Sequence, residues 1–232
     1  MRLVRGRAST PEADRRATAA MLEETAETGV PAFRAWTPHR QVIFGRRDAG
    51  ESGYEAARRA AEERGFPPLR RRTGGRAVAY TGRTVAFAEA VPVDDPRTGL
   101  SARYDEATER LRRALAGLGV DARPGEPPEA FCPGDHSLQC DGKVAGLAQR
   151  IGSGAALVGG VVVVGEREVI AGVLDPVYEA LGIPFDPDSV GSVAAAGGPD
   201  DPDPVVAALV ESFLDGRDPD VERAGDLLAA GD

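Results

Sequence analysis

Asp141-Gly142-Lys143-Val144-Ala145-Gly146-Leu147-Ala148-Gln149-Arg150 is the stretch on which the reading of this chain turns. Asp-Gly is a strong two-residue hairpin signal, since both residues tolerate the positive φ of a tight turn between antiparallel strands. Lys143–Gln149 then reads as a strand, Ser137–Cys140 as its partner before the turn, and Ala155–Val164 as a third strand. Lys143 itself stands out. Of 28 basic residues it is the only lysine, every other one being arginine. A guanidinium is a broad planar fork, whereas an ammonium is a compact point charge on a thin stem that fits a tight pocket. Gly142 and Gly146 flank it and let backbone close around a ligand with no Cβ in the way. Lys143 is therefore the candidate holder of an anionic group.

Outward from this hairpin, helices and strand clusters alternate. Helical patterning predicts a helix over Pro11–Glu27, stopped by Gly29-Val30-Pro31, and a second over Glu51–Arg64 with Ser52 as its cap. Ala32–Trp36 and Gln41–Gly45 read as a pair of strands across Thr37–Arg40. Pro68–Arg71, Ala77–Tyr80 and Thr84–Val91 read as strands, and Leu100–Gly119 as a long helix ending on glycine. A proline-rich loop over Arg123–Gly134 precedes the hairpin, while Arg167–Leu181 and Pro204–Leu214 read as helices. Asp186–Pro202 and the acidic tail after Gly216 are expected to be loosely held. Strands cluster between helices and do not alternate strictly with them. That predicts one domain over residues 1–232 of α+β class, with a mixed, largely antiparallel sheet flanked by helices.

Bulk properties narrow the chemistry. A net charge of −9 and a pI near 4.9 disfavour a nucleic-acid partner. No apolar run approaches a membrane span, and the longest, Ala155–Val164, is broken by Gly159 and Gly160. The N-terminus lacks the apolar stretch of a signal peptide, so a cytoplasmic location is expected. Cys132 and Cys140, with His136 between them, are too few for a structural zinc site, and no metal site is expected. A second segment can carry chemistry: Arg70-Arg71-Arg72-Thr73-Gly74-Gly75-Arg76 places guanidiniums and free backbone N–H groups at one turn, suited to a phosphate or a carboxylate.

Together the two segments resemble the lipoate–protein ligase and octanoyltransferase family. Its Arg-Arg-x-(Ser/Thr)-Gly-Gly turn and Ala-Val strand are matched by Arg71-Arg72-Thr73-Gly74-Gly75-Arg76-Ala77-Val78. Its Gly-(Lys/Arg)-Lys-(Ile/Val)-x-Gly-x-Ala-Gln strand is matched by Gly142–Gln149, and weaker likeness runs upstream through Phe33–Trp36 and Val42–Gly45. The resemblance spans about residues 12 to 182. It implies the biotin/lipoate ligase type of catalytic fold and transfer of a lipoyl or octanoyl group to the ε-amine of a lysine. The acceptor would be a lipoyl carrier domain of a 2-oxoacid dehydrogenase or a glycine-cleavage protein. Lys143 would hold the acyl head, with Arg71, Arg72, Gly74, Gly75, Arg76, Gly142 and Gly146 lining the substrate site.

Two routes are implied, and a third role stands beside them. The first-ranked is an ATP-dependent lipoate–protein ligase, with Mg2+, in which the arginine turn faces an adenylate. The alternative is an octanoyltransferase that needs no nucleotide and carries the acyl group as a thioester on Cys132, with His136 a candidate to activate the sulfur. Departures from the pattern motivate the third, a non-catalytic accessory subunit. Arg76 stands where ligases carry a third glycine, Tyr80-Thr81-Gly82 lacks a histidine, and Gly159-Gly160 replaces a His-Gly pair. About fifty residues after Leu181 leave little room for an accessory domain.

Overall fold

In the computed structural model, which describes residues 1–71, 74–95 and 98–229, strand β1 (Arg2–Arg5) leads into helix α1 (Pro11–Thr28). The Thr10 side chain caps α1 by accepting from the Ala13 N–H, and Gly29, left-handed at φ 70°, ends it. The chain continues through β2 (Ala32–Trp36), β3 (Gln41–Phe44), α2 (Tyr54–Glu62), β4 (Pro68–Arg70), β5 (Val78–Tyr80) and β6 (Thr84–Pro92). Helix α3 (Leu100–Gly117) and a short β7 (Arg123–Pro124) lead to the hairpin strands β8 (Ser137–Gln139) and β9 (Lys143–Ile151), followed by β10 (Ala155–Val163). Helices α4 (Arg167–Leu181) and α5 (Pro202–Leu214), strand β11 (Asp220–Arg223) and α6 (Asp226–Ala229) complete the described chain.

Among the described residues the strands form two sheets. The larger has the order β11-β1-β2-β6-β10-β9-β8-β7, and the smaller β4-β3-β5. In the larger sheet β1 pairs in parallel with β2 and β11, while every pairing along the order from β2 to β7 is antiparallel; in the smaller, β3 pairs in parallel with β4 and antiparallel with β5. The fold is thus α+β, with a mixed, mostly antiparallel open sheet flanked by helices, as the clustering of strands predicts. Pleating sorts the residues of each strand onto two faces. Phe33 and Ala35 of β2 and Val85 and Phe87 of β6 pack on α3 and α5, where Phe213 stacks on Phe33 at 4.4 Å between ring centroids. Ala32 and Ala88 turn to the opposite face, against Ala17, Met21 and Leu22 of α1. Further along that face lie the smaller sheet and the α2–α4 pair, with Val161 and Val163 of β10 in the same apolar cluster.

The expected pairing of Ala32–Trp36 with Gln41–Gly45 does not form. Strand β2 is held between β1 and β6, and β3 between β4 and β5. A strand with both faces buried and both edges taken has no hydrogen-bonding edge left for its successor, so Thr37–Arg40 crosses between sheets. The Ser52 cap is also absent, since α2 begins after Gly53 with no side-chain cap. Val193 and Ala194, in the segment read as loose, donate backbone hydrogen bonds to Val163 and Val164 at 2.9 Å each. No described helix is long and apolar enough to cross a membrane.

One buried ion pair ties β2 to α1. Arg34 is fully buried and donates to the Asp14 carboxylate, to the Asp14 carbonyl at 3.1 Å, to Thr18 Oγ at 3.0 Å and to the Gly6 carbonyl at 2.9 Å, while its guanidinium lies 3.9 Å from the Trp36 ring. Burial pulls the Arg34 pKa below its ordinary value against the opposing pull of Asp14. Removing one partner of such a pair leaves an uncompensated charge in the interior. Asp14→Ala is therefore expected to cost about 3–5 kcal/mol in urea denaturation, and adding Arg34→Leu to recover part of that loss.

Candidate active site

Three segments converge on Cys132: the glycine turn between β4 and β5, the loop from Gly125 to Cys132, and the start of β9. Within the turn, Arg71 folds back on its own backbone. Its Nε donates to the Gly74 carbonyl at 3.2 Å and its Nη2 to the Arg76 carbonyl at 2.9 Å. The same Nη2 reaches Cys132 Sγ at 3.3 Å, and the Arg76 backbone N–H lies 3.4 Å from that sulfur. Gly75 makes this approach possible. Its φ is +84°, and a Cβ there would lie 2.7 Å from Arg71 Nη2 and 2.9 Å from Cys132 Sγ.

Tyr178 and Lys143 hold the cysteine from behind. The Tyr178 hydroxyl, from α4, accepts from the Cys132 N–H at 2.6 Å and donates to the Ala77 carbonyl at 2.9 Å, bridging loop and turn. Lys143, 1% exposed, donates to the Phe131 carbonyl at 3.0 Å and the Cys132 carbonyl at 2.9 Å. Its remaining partner is Glu126, whose oxygens lie 2.9 and 3.1 Å from Nζ. With both flanking carbonyls captured, Cys132 sits at φ +43°, a left-handed conformation uncommon for a side chain of this kind.

Electrostatics in the turn follow from burial and proximity. Burial opposes the Arg71 charge, yet Cys132, Tyr80 and Asp48 around it hold its pKa above the usual arginine value. Arg76 pairs with Glu51 at 2.7 Å and Asp48 at 3.4 Å. Burial pushes the Asp48 carboxyl above its ordinary range, even though the Gly45 N–H and Arg76 both favour its ionised form. Burial also drives the Tyr178 phenol far upward, so this hydroxyl keeps its proton as donor to Ala77.

The structure therefore gathers Lys143, Cys132, Arg71, Gly74, Gly75 and Arg76 in one place, while Arg72 lies outside the described residues. Gly146 belongs to the lysine's wall, where a Cβ would come within 3.3 Å of Lys143 Cε. Gly142 serves the hairpin. At φ +113° its Cβ position falls 2.6 Å from the Gly191 nitrogen, so the turn packs directly on the α4–α5 connection. The His136 ring stacks on Tyr104 with centroids 3.6 Å apart, and it is not among the described hydrogen-bond partners of the sulfur. Both cysteines are free, and Cys140 packs half-buried against the main core.

Glu126, Tyr178 and Asp48 escaped the sequence reading. Tyr178 sits among the apolar residues of α4 and Glu126 in a proline-rich loop, and nothing in the local pattern separates them from a core aromatic and a surface acid.

Comparison with known proteins shows the family. Residues 13–213 match the Lipoyl protein ligase A/B catalytic domain, and the chain belongs to that family. It is similar to an octanoyl-GcvH:protein N-octanoyltransferase of Exiguobacterium sp., 30% identical over 131 residues, which are 56% of this chain and 46% of that protein. The enzyme of that name from Kyrpidia tusciae is 30% identical over 141 residues, 60% of this chain and 49% of its own length. The chain spans about half the length of these curated relatives. In fold it resembles a crystal structure of lipoate-protein ligase A bound with ATP, with a TM-score of 0.77 at 21% identity, over 99% of this chain and 92% of that one.

Tyr178→Phe strips the Cys132 N–H and the Ala77 carbonyl of their shared partner. The variant should lose about 1–3 kcal/mol of stability. Its Cys132 amide should also exchange with solvent faster than in the parent, as read by hydrogen exchange.

Proposed function

We propose that this protein is an acyltransferase that moves an octanoyl or lipoyl group to the ε-amine of a lysine on a lipoyl carrier domain, through an acyl-thioester on Cys132. The observation that carries this reading is the pair of donors on Cys132 Sγ, the Arg71 guanidinium at 3.3 Å and the Arg76 N–H at 3.4 Å. Donors aimed at the sulfur are placed to stabilise negative charge that develops on it as the acyl group leaves, and sulfur is the nucleophile in such chemistry. The Cys132 thiol attacks the donor carbonyl, the C–S bond forms as the bond to the donor's leaving group breaks, and the thiol's proton passes through water to that leaving group. The acceptor amine then attacks the thioester, gives up a proton as the amide forms, and returns the sulfur to Arg71.

The ligase route is less well supported by the same turn. An adenylate phosphate needs free cations, but Arg76 is paired with Glu51 and Asp48, and Arg71 is spent on two carbonyls and the sulfur. The described residues of the turn do not fit that phosphate, and no step is assigned to ATP or Mg2+. The names of the curated relatives favour a donor that is itself an octanoylated carrier protein of the GcvH type. Two free cysteines suit a reducing cytoplasm.

Intact-protein mass spectrometry tests the route. After incubation with an octanoylated carrier the protein should gain one octanoyl group, Cys132→Ser should gain none, and Arg71→Met should acylate about a hundredfold more slowly. An unmodified parent that instead releases pyrophosphate from lipoate and ATP would establish the ligase.

A further inference from the structure

The ammonium of Lys143 has no donor to spare. It carries three N–H bonds, and the carbonyls of Phe131 and Cys132 take two of them. Glu126 takes the third in a forked contact at 2.9 and 3.1 Å. Of these partners Glu126 supplies the charge, and it lies on the open side of the pair. Its side chain is 23% exposed against 2% for that of Lys143. The Gly134 N–H reaches Glu126 Oε2 at 3.4 Å, which ties the carboxylate to the loop that bears Cys132.

A buried ammonium close to a cysteine would ordinarily draw a free carboxylate. Here that attraction is already satisfied from within the chain. We propose that Glu126 is a specificity-determining residue: by neutralising Lys143 it denies an anchor to free fatty acids, so that the site takes acyl groups only as the uncharged carbonyl of a thioester or amide. The inference rests on the acyl-transfer reading of this site and names which form of the acyl donor it admits. A free acid would have to exchange its carboxylate for that of Glu126, with no electrostatic gain, and would leave Glu126 beside it as an unpaired like charge. A thioester or amide carbonyl meets neither obstacle.

The proposal predicts a change of ligand preference that a purely structural role for Glu126 would not produce. Octanoate and octanamide have similar shape and differ in charge, so calorimetric titration with each separates the two cases. The parent should bind octanoate no more tightly than octanamide. In Glu126→Gln the amide oxygen still accepts from Lys143 while the negative charge is gone. Octanoate affinity should then rise about tenfold or more, as for a new hydrogen bond to a charged group, with octanamide unchanged within about twofold. Glu126→Ala should show the same preference, and Lys143→Met in the Glu126→Gln background should abolish it. Equal shifts for both ligands, no gain with either variant, or a parent that already prefers octanoate would each overturn the proposal. The titration needs no turnover. Failure to form the Cys132 adduct alongside an intact octanoate gain would therefore sink the thioester route alone, and a normal adduct without the gain would sink this inference alone.

Discussion

The loop that carries Cys132 depends on one ammonium group. Lys143 enters from the first residue of β9 and meets two backbone carbonyls and a carboxylate that converge on a single point. A guanidinium spreads its donors over a plane and could not serve three acceptors at the apex of so small a space. Gly146 adds to the restriction, since even a methyl group there would crowd the lysine stem at 3.3 Å. This accounts for a lysine in a chain that otherwise uses arginine for every positive charge. The energetic weight is considerable. Two buried carbonyls and a half-buried carboxylate all rely on Nζ, and an unmet buried acceptor costs about 1–3 kcal/mol.

Around this point the charges are arranged in nested pairs. Lys143 is balanced by Glu126, and Arg76 by Glu51 and Asp48. Among the described residues Arg71 makes no ion pair with a carboxylate, and the group its guanidinium faces is the sulfur of Cys132. The Gly74–Gly75 turn contributes shape as much as charge, because only a residue without a Cβ leaves room for sulfur and guanidinium together.

The sequence made some of this legible and hid the rest, for identifiable reasons. The Asp141–Gly142 turn and the three strands around it were readable because turn chemistry and alternation are local. Strands β1 and β11 were not: Arg2–Arg5 is short, Asp220–Arg223 is polar, and they form by pairing with each other across almost the whole chain. The β2–β3 pairing was misread for a related reason, since closeness in sequence does not reveal which edges other strands have already taken. In the site, Lys143 and the glycine turn carry recognisable motifs, and Cys132 stands out only as a cysteine in the loop before the Lys143 strand. Glu126 and Tyr178 do not stand out, because their roles come from convergence on Lys143 and Cys132, and convergence leaves no trace in spacing.

His136 shows how the same limit works in reverse. Its nearness to Cys132 in sequence suggests a base for the sulfur, yet the ring stacks on Tyr104 and is not among the sulfur's described hydrogen-bond partners. The sulfur's described hydrogen-bond partners are instead Arg71 and the Arg76 amide, some sixty residues upstream, while Tyr178, nearly fifty residues downstream, accepts from the Cys132 backbone N–H. The two described contacts to the sulfur itself are both donors. The Cys132 backbone is tied down at its N–H by Tyr178 and at its carbonyl by Lys143, while its side chain is only half-buried.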